Sequence, residues 1–324
     1  MEVVARKAGV SIATVSRVMN NSKPVSVKTR QRVEAAISAL DFRANPFGRS
    51  LSTGQSRLLL VLVPEFSNPY YAEIIVGASI VARKNGYCLL PVDIEESGAQ
   101  VHGVFGRIDN GLADGVINLI PSADQRFLEA DARGKPWVNC SEFLPEQDIP
   151  YVSIDHKKAA GDAVQYLINR GHRRIAFVSS DERYLYARQR REGYELALLR
   201  AGIELDPQLV QITGGTSYAR GSQAGTALLS CAHAPTAVFA VSDTLAVGII
   251  KVFRRAGLQV PKDVAVMGFD DIPIAEMFDP GLSTVAQPMH ELGGIAVQMV
   301  IDRIGGNVPE PRTLPHRLVL RESA

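Results

Sequence analysis

Apolar positions at the start of the chain fall in helical spacing. Val4, Ala5 and Ala8 precede Gly9-Val10-Ser11, and Val15 and Val18 follow it, which predicts helix, tight turn, helix. Ser11 is placed to cap the second helix, and at about 100° per residue Ala13, Ser16, Arg17 and Asn20 share an arc opposite Val15. A third helix is expected after Ser26, with Val33, Ala36, Ile37 and Leu40 as its buried stripe. Asn45-Pro46 then opens a short segment that runs to Ser52 and closes at Thr53-Gly54, with Phe47 and Leu51 on one side. At under two turns it needs a partner surface to hold a helix, because isolated helices below about 12 to 15 residues are marginal in water.

From Leu58 onward the period changes. Runs rich in β-formers near 58–63, 87–92, 115–120, 136–139, 151–154, 174–179, 236–241 and 264–268 alternate with helical stretches at 70–84, 157–170, 188–200, 217–229 and 244–256. Alternation of this kind predicts a doubly wound α/β architecture with parallel sheets and crossover helices. About 265 residues of such units suit two lobes better than one.

Charge sharpens the division. Residues 1–57 hold ten Lys and Arg against three acids, a net +7, while the rest of the chain carries a net −6. A basic head on an acidic body suits a polyanion partner for the head, although a solvated basic face is the plainer reading. The longest apolar strand run, Leu58–Val63, stops at Pro64, far short of a membrane span, and the first residues lack the order of a secretory signal. The expected location is the cytoplasm, with no membrane partner. Cys88, Cys140 and Cys231 are an odd, widely spaced set that predicts reduced, buried thiols rather than disulfides or a metal site.

On the second helix, small and polar outward residues allow entry into a major groove, where Arg17 can pair with a guanine edge and Ser16 and Asn20 can reach phosphates. The same pattern also suits a small helical bundle with no DNA role, and 45–57 can be a plain linker. In the body, ligands of open α/β sheets bind beyond the carboxyl ends of strands. Residues following the strands are Tyr70 and Tyr71, Asp93, Asp155, Arg188 and Arg190, Ser242-Asp243, and Asp270-Asp271. Aromatic plates, a guanidinium and carboxylates suit a sugar or nucleoside, while Asp155 and Asp243 can equally be helix caps and Tyr71 core. Phosphate-loop, dinucleotide, zinc-protease and nucleophile-elbow motifs are absent, and the six histidines are scattered singly, so no catalytic residue, cofactor or metal is assigned.

The run from Val4 to Asn20, then Val25 to Arg30 and Asn45-Pro46, closely resembles the head of the lactose/galactose-repressor family of bacterial regulators. The resemblance implies that Ile12 and Ala13 choose the operator with Arg17, that Ser11, Thr14, Ser16 and Asn20 support or touch the phosphates, and that Leu51 is an intercalating hinge leucine. Family members usually carry a few residues ahead of this point, among them a hydroxyl residue capping the first helix. An upstream start or a lower operator affinity follows from that difference.

In the body, Asn68 to Tyr71, Ala187 to Tyr194, Ser242 to Gly248, Gly268 to Asp271 and Leu282 to Pro288 are similar to blocks of the same family's effector domain, which is like periplasmic sugar-binding proteins. By position, Tyr70 and Tyr71 would stack on an effector, Arg190 and Asp270 would hold its hydroxyls, and Ser242 with Asp243 would line the far wall. Thr216 stands where many members place an aromatic plate, and Gly98, Gly103, Gly106 and Gly111 thin a helix that often helps form the dimer face.

The resulting expectation is a helix-turn-helix head at 1–44, a hinge helix and linker at 45–57, and an effector and dimerisation domain at 58–324. Its first lobe is expected at about 58–153 plus 287–312 and its second at about 154–284 plus 313–324. Such a protein is a homodimeric repressor that binds double-stranded operator DNA under control of a nucleoside or sugar. The family's cytidine-responsive members are the most similar, which favours a nucleoside that releases DNA. A solute-binding protein and a nucleoside- or sugar-acting enzyme are the alternatives.

Overall fold

The structure is a computed structural model and describes residues 1–20, 23–42, 55–94, 113–120 and 136–324, with the side chain of Asn20 left out. Leu51 with its hinge segment, and the four glycines between 98 and 111, lie outside the described residues. The chain divides into two compact units, residues 1–56 and 57–324.

The first unit holds α1 (Glu2–Ala8), α2 (Ile12–Asn20) and α3 (Val27–Ala39) around a core of Val4, Ala5, Ala8, Val15, Val18, Val33 and Ala36. Ser11 and Ser26 cap α2 and α3 by accepting from the backbone N–H groups of Thr14 at 3.2 Å and Thr29 at 3.3 Å. The α1–α2 turn depends on Gly9, whose φ of 61° is left-handed and costs glycine no Cβ strain. Arg32 of α3 clasps this turn, its Nη2 donating to the carbonyls of Ala8 at 2.5 Å and Gly9 at 3.1 Å.

The second unit contains two six-stranded sheets. In chain order its elements are β1 (Leu58–Val63), α4 (Pro69–Lys84), β2 (Cys88–Asp93), β3 (Gly115–Asn118), β4 (Trp137–Cys140), β5 (Tyr151–Ile154), α5 (His156–Asn169), β6 (Ile175–Ser179), α6 (Leu185–Arg200), β7 (Val210–Ile212) and α7 (Tyr218–Leu229). They continue as β8 (Ala237–Ala240), α8 (Asp243–Arg255), β9 (Ala265–Asp270), α9 (Pro273–Met277), β10 (Ser283–Ala286), α10 (Met289–Ile304), β11 (Arg312–Leu314) and β12 (Arg317–Val319).

One sheet runs β11-β5-β4-β3-β1-β2 and the other β12-β10-β9-β8-β6-β7. Neighbours are parallel except β10 with β12. Strands such as β1, β3, β8 and β9 are buried on both faces, as parallel strands covered by helices must be, which explains their unbroken apolar runs. Of the cysteines expected to be buried, Cys140 is buried but Cys88 is exposed. The chain passes between the sheets after β5, after β10 and between β11 and β12. On the first lobe α4 packs against α10 at backbone distance: a Cβ on Gly77 would stand 2.1 Å from the His290 carbonyl, and one on Gly293 would stand 2.0 Å from that of Ile74. Glycines in the middle of both helices thus permit an approach that any larger residue would prevent.

Candidate functional site

On α2 the buried side is Val15 and Val18, and the opposite side is exposed within the described residues of the head. Ser11, Ile12, Ala13 and Arg17 are exposed, Ile12 to 47%, while Thr14 and Ser16 are half-buried at the flanks. An isoleucine left in water at the first position of a helix, beside an alanine and an arginine one turn on, suits contact with base edges and thymine methyls in a major groove.

The body cleft is assembled from both lobes. Asn68 caps α4, accepting from the N–H of Tyr70 at 3.0 Å, with Pro69 in the first turn. This start aims both tyrosines inward, their rings edge to face at 5.3 Å. Tyr70 donates to Gln287 Oε1 at 3.2 Å and therefore accepts from the Ser141 hydroxyl at 2.6 Å. Facing them, Arg190 of α6 is 4% exposed and lies between two rings, its guanidinium carbon 3.5 Å from the Phe269 centroid and 4.7 Å from that of Tyr186. It donates to the Val241 carbonyl and to His156 Nδ1 at 3.3 to 3.4 Å. Because arginine only donates, Nδ1 is the acceptor and the His156 proton sits on Nε2, facing Ser153 Oγ at 3.5 Å. Burial, then the charge of Arg190, holds His156 well below its ordinary pKa, so it is neutral.

Asp270 ends β9 at a φ of 114°, and Asp271 follows at 62°, both strained for residues other than glycine. The Asp270 carboxylate accepts from Gln287 Nε2 at 2.7 Å and stands 3.9 Å from Arg190. Burial pushes its pKa up to about 7 against the opposing pull of Arg190 and Gln287. Asp243 holds this bend from behind, accepting from Ile272 N–H at 2.9 Å and from the Thr284 hydroxyl at 2.5 Å. Burial first, and the neighbouring Asp270 second, raise it well above the carboxylate range.

One cavity therefore brings together Tyr70, Tyr71, Arg190, Ser242 and Asp270, joined by Asn68, Leu119, Ser141, Glu142, Tyr186, Thr216 and Val241. Its free volume is ≈ 40 Å³, room for a few waters, so a ring-sized ligand does not fit without rearrangement of the cleft. Asp243 does not line it, being fully buried at its back. The other residues at strand ends serve elsewhere: Asp155 caps α5, Asp93 faces the N–H of Phe66 at 3.5 Å, Arg188 donates to the carbonyls of Glu182 and Arg183, and Asp271 pairs with Arg321 at 2.8 Å. A larger trough of ≈ 310 Å³ between α5 and α6 is open, and its Lys157 and Lys158 are paired with Glu192 and Asp162.

Tyr186 and Glu142 were not among the residues expected from sequence. Tyr186 supplies an aromatic plate from α6 in a cleft where Thr216 cannot, and the adjacent Tyr184 stacks on it at 5.6 Å. The nearest signal was position: Tyr186 precedes Arg190 by one helical turn, and Glu142 is an acid just beyond a strand end.

Residues 1–45 match the family of bacterial regulatory proteins named lacI, and residues 164–324 match the periplasmic binding protein-like domain. The chain is 38% identical over 309 residues to the HTH-type transcriptional repressor CytR of Escherichia coli strain K12, covering 94% of this chain and 90% of that protein. The chain belongs to the lacI family. Among solved structures, a complex of the transcriptional regulator CelR with cellobiose matches 100% of this chain and 99% of its own at 34% identity and TM-score 0.78. The lac repressor dimer bound to operator and the anti-inducer ONPF matches 99% of this chain and 97% of its own at 27% identity and TM-score 0.89.

As a lacI-family member the protein is a DNA-binding transcriptional repressor, with a helix-turn-helix head and a two-lobed periplasmic-binding-like body. Its relatives are transcriptional regulators rather than enzymes. Among the described residues no group of three His, Cys, Asp or Glu could hold a metal ion, and no helix is long and apolar enough to cross a membrane.

Proposed function

We propose that the interlobe cavity is the effector site of a homodimeric cytoplasmic repressor, that it takes a nucleoside in preference to a simple sugar, and that the ligand leaves unchanged while operator affinity falls. The observation that carries this reading is the convergence of Tyr70, Tyr71, Tyr186, Arg190 and Asp270, from both lobes, on one cavity. Arg190 and Asp270 suit vicinal hydroxyls, one donating and one accepting, and the tyrosines suit the face of a ring. Ser242 lines the wall beside them, and Asp243 acts through the bend it fixes at Asp270. Similarity to CytR supports the nucleoside, and the cellobiose complex of CelR supports a sugar as the second reading.

On α2, Ile12, Ala13 and Arg17 read bases, and Ser11, Thr14, Ser16 and Asn20 seat the helix on phosphates. Effector binding requires a change of lobe angle, and residues 45–57 with Leu51 carry that change to DNA. A ligand moves this equilibrium only by its differential affinity for the two states, and coupling of about 1 to 3 kcal/mol would change operator affinity roughly 5- to 150-fold. The test is a thermal-shift screen against nucleosides, pentoses, hexoses and disaccharides, with hits retested for operator release by fluorescence anisotropy. A nucleoside that stabilises the protein and weakens DNA binding is the expected result. Stabilisation by sugars alone would replace the nucleoside with the second reading, and a ligand consumed under the assay would overturn the non-enzymatic role.

A further inference from the structure

Glu142 is the cleft residue that this reading leaves without a role. β4 ends at Cys140, where Ser141 turns the chain with a φ of 71° and the N–H of Glu142 returns to the Cys140 carbonyl at 2.9 Å. That is a γ-turn in its strained form, a backbone cost that needs a return elsewhere. The turn sends Glu142 out of the first lobe to the start of α6 in the second. There its carboxylate oxygens accept from the N–H groups of Leu185 at 3.0 Å and Tyr186 at 2.7 Å. Tyr184, at the N-cap position, makes no side-chain cap of its own. Glu142, 4% exposed and lining the cavity, stands where a capping residue or a bound anion would otherwise be. A helix N-terminus favours phosphate because free N–H groups and the helix dipole both point at it, and in this cleft a protein carboxylate already holds that position. Among the described cavity-lining residues Arg190 is the cation, and Asp270 and Glu142 are the acids beside it.

We propose, on the reading that the cleft binds the effector, that Glu142 is its specificity-determining residue: by occupying the anion position of α6 from the opposite lobe, it restricts the cleft to uncharged ligands and rejects their phosphorylated forms. The same contact joins the two lobes. With a neutral ligand bound it re-forms on closure, whereas a phosphate must displace it and meets a carboxylate in place of free N–H groups.

The full chain and the variants Glu142→Gln and Glu142→Gly are compared at pH 8, where the Glu142 carboxyl is charged, by thermal shift and calorimetry with nucleosides and their 5′-monophosphates, pentoses and pentose 5-phosphates, and inorganic phosphate. Glutamine keeps the size and one acceptor without the charge; glycine vacates the position. The expected wild-type preference for the neutral member of each pair is about tenfold or more, and both variants lose about tenfold of it. Glu142→Gly is stabilised by inorganic phosphate at concentrations that leave the wild type unmoved. The ratio of affinities is the readout, since loss of a cap alone weakens both members of a pair alike. Tighter binding of the phosphorylated member by the wild type, or variants that keep the wild-type ratio without responding to phosphate, would overturn the assignment. If no neutral ligand binds the wild type but Glu142→Gly gains phosphate binding, the effector reading fails and the role of Glu142 stands.

Discussion

The outward face of α2 and the interlobe cleft, the two surfaces proposed to recognise DNA and effector, are built in opposite ways. Ile12, Ala13 and Arg17 lie within six residues on one helix whose buried side, Val15 and Val18, belongs to the core of the head. Their side chains can change without disturbing that core. In the cleft, residues from Asn68 to Gln287 meet, and the polar ones are already bonded to one another: Arg190 to His156 and Val241, Asp270 to Gln287, Asp243 to Ile272 and Thr284. Such a network orients its members before a ligand arrives, so recognition and stability there are not separable.

The largest expected effect tests that inseparability. Arg190→Ala leaves Asp270 without its cation and removes a group packed between two aromatic rings. Breaking a buried charged pair costs about 3 to 5 kcal/mol, so a lower Tm should accompany loss of the effector response. A variant of wild-type stability that merely fails to bind effector would show that the cleft network is not a structural unit. The counterpart is Arg17→Ala. It should weaken operator binding by about 1 to 3 kcal/mol and relax specificity at one base pair, with stability changed by less than about 0.5 kcal/mol. Anisotropy with a set of single-base operator variants reads the first, and a thermal melt reads the second. An equal loss on every sequence would make Arg17 a phosphate contact instead.

The same contrast explains what could be read from the sequence. The head was legible because its signals are local: caps at Ser11 and Ser26, a left-handed Gly9 and helical apolar stripes. Strands buried on both faces announced themselves as apolar runs. β10, β11 and β12 did not, because two of them are three residues long and partly exposed, and the Ser283-Thr284 pair of β10 is buried only because Ser323, Arg321 and Asp243 satisfy its polar groups. α10 was missed for a tertiary reason: Gly293-Gly294 breaks a helical pattern in sequence but serves the close approach of α4 in space. Of the residues placed directly after strands, Tyr70, Tyr71, Arg190, Ser242 and Asp270 line one cavity, whereas Asp243 turns its carboxylate behind it. Glu142 escaped because its role exists only through a helix 43 residues away.

The smallest expected effect concerns the protons of the cleft. Burial pushes Glu142 up to about 7, although the N–H groups of Tyr186 and Leu185 and the charges of Arg190 and Arg188 pull it down; Tyr71 and Tyr186 are the other titratable groups beside it. In the unfolded chain a glutamate titrates near ~4.3. Between those values the native state binds a proton that the unfolded state has released, so this group contributes stability that is fully present below the unfolded pKa and is lost as pH rises through 7. Asp270, pushed to about 7 as well, acts in the same direction. Glu142→Gln removes one of the two titrations and leaves the other. The Tm advantage of the wild type over Glu142→Gln should therefore be greatest near pH 5 and shrink by pH 8, a difference on the order of 1 kcal/mol. A difference that does not vary with pH would mean that the two N–H groups outweigh burial and keep the carboxylate charged throughout. In that case the clasp between the lobes is a permanent ion, and opening the cleft takes up no part of its cost from the solvent's protons.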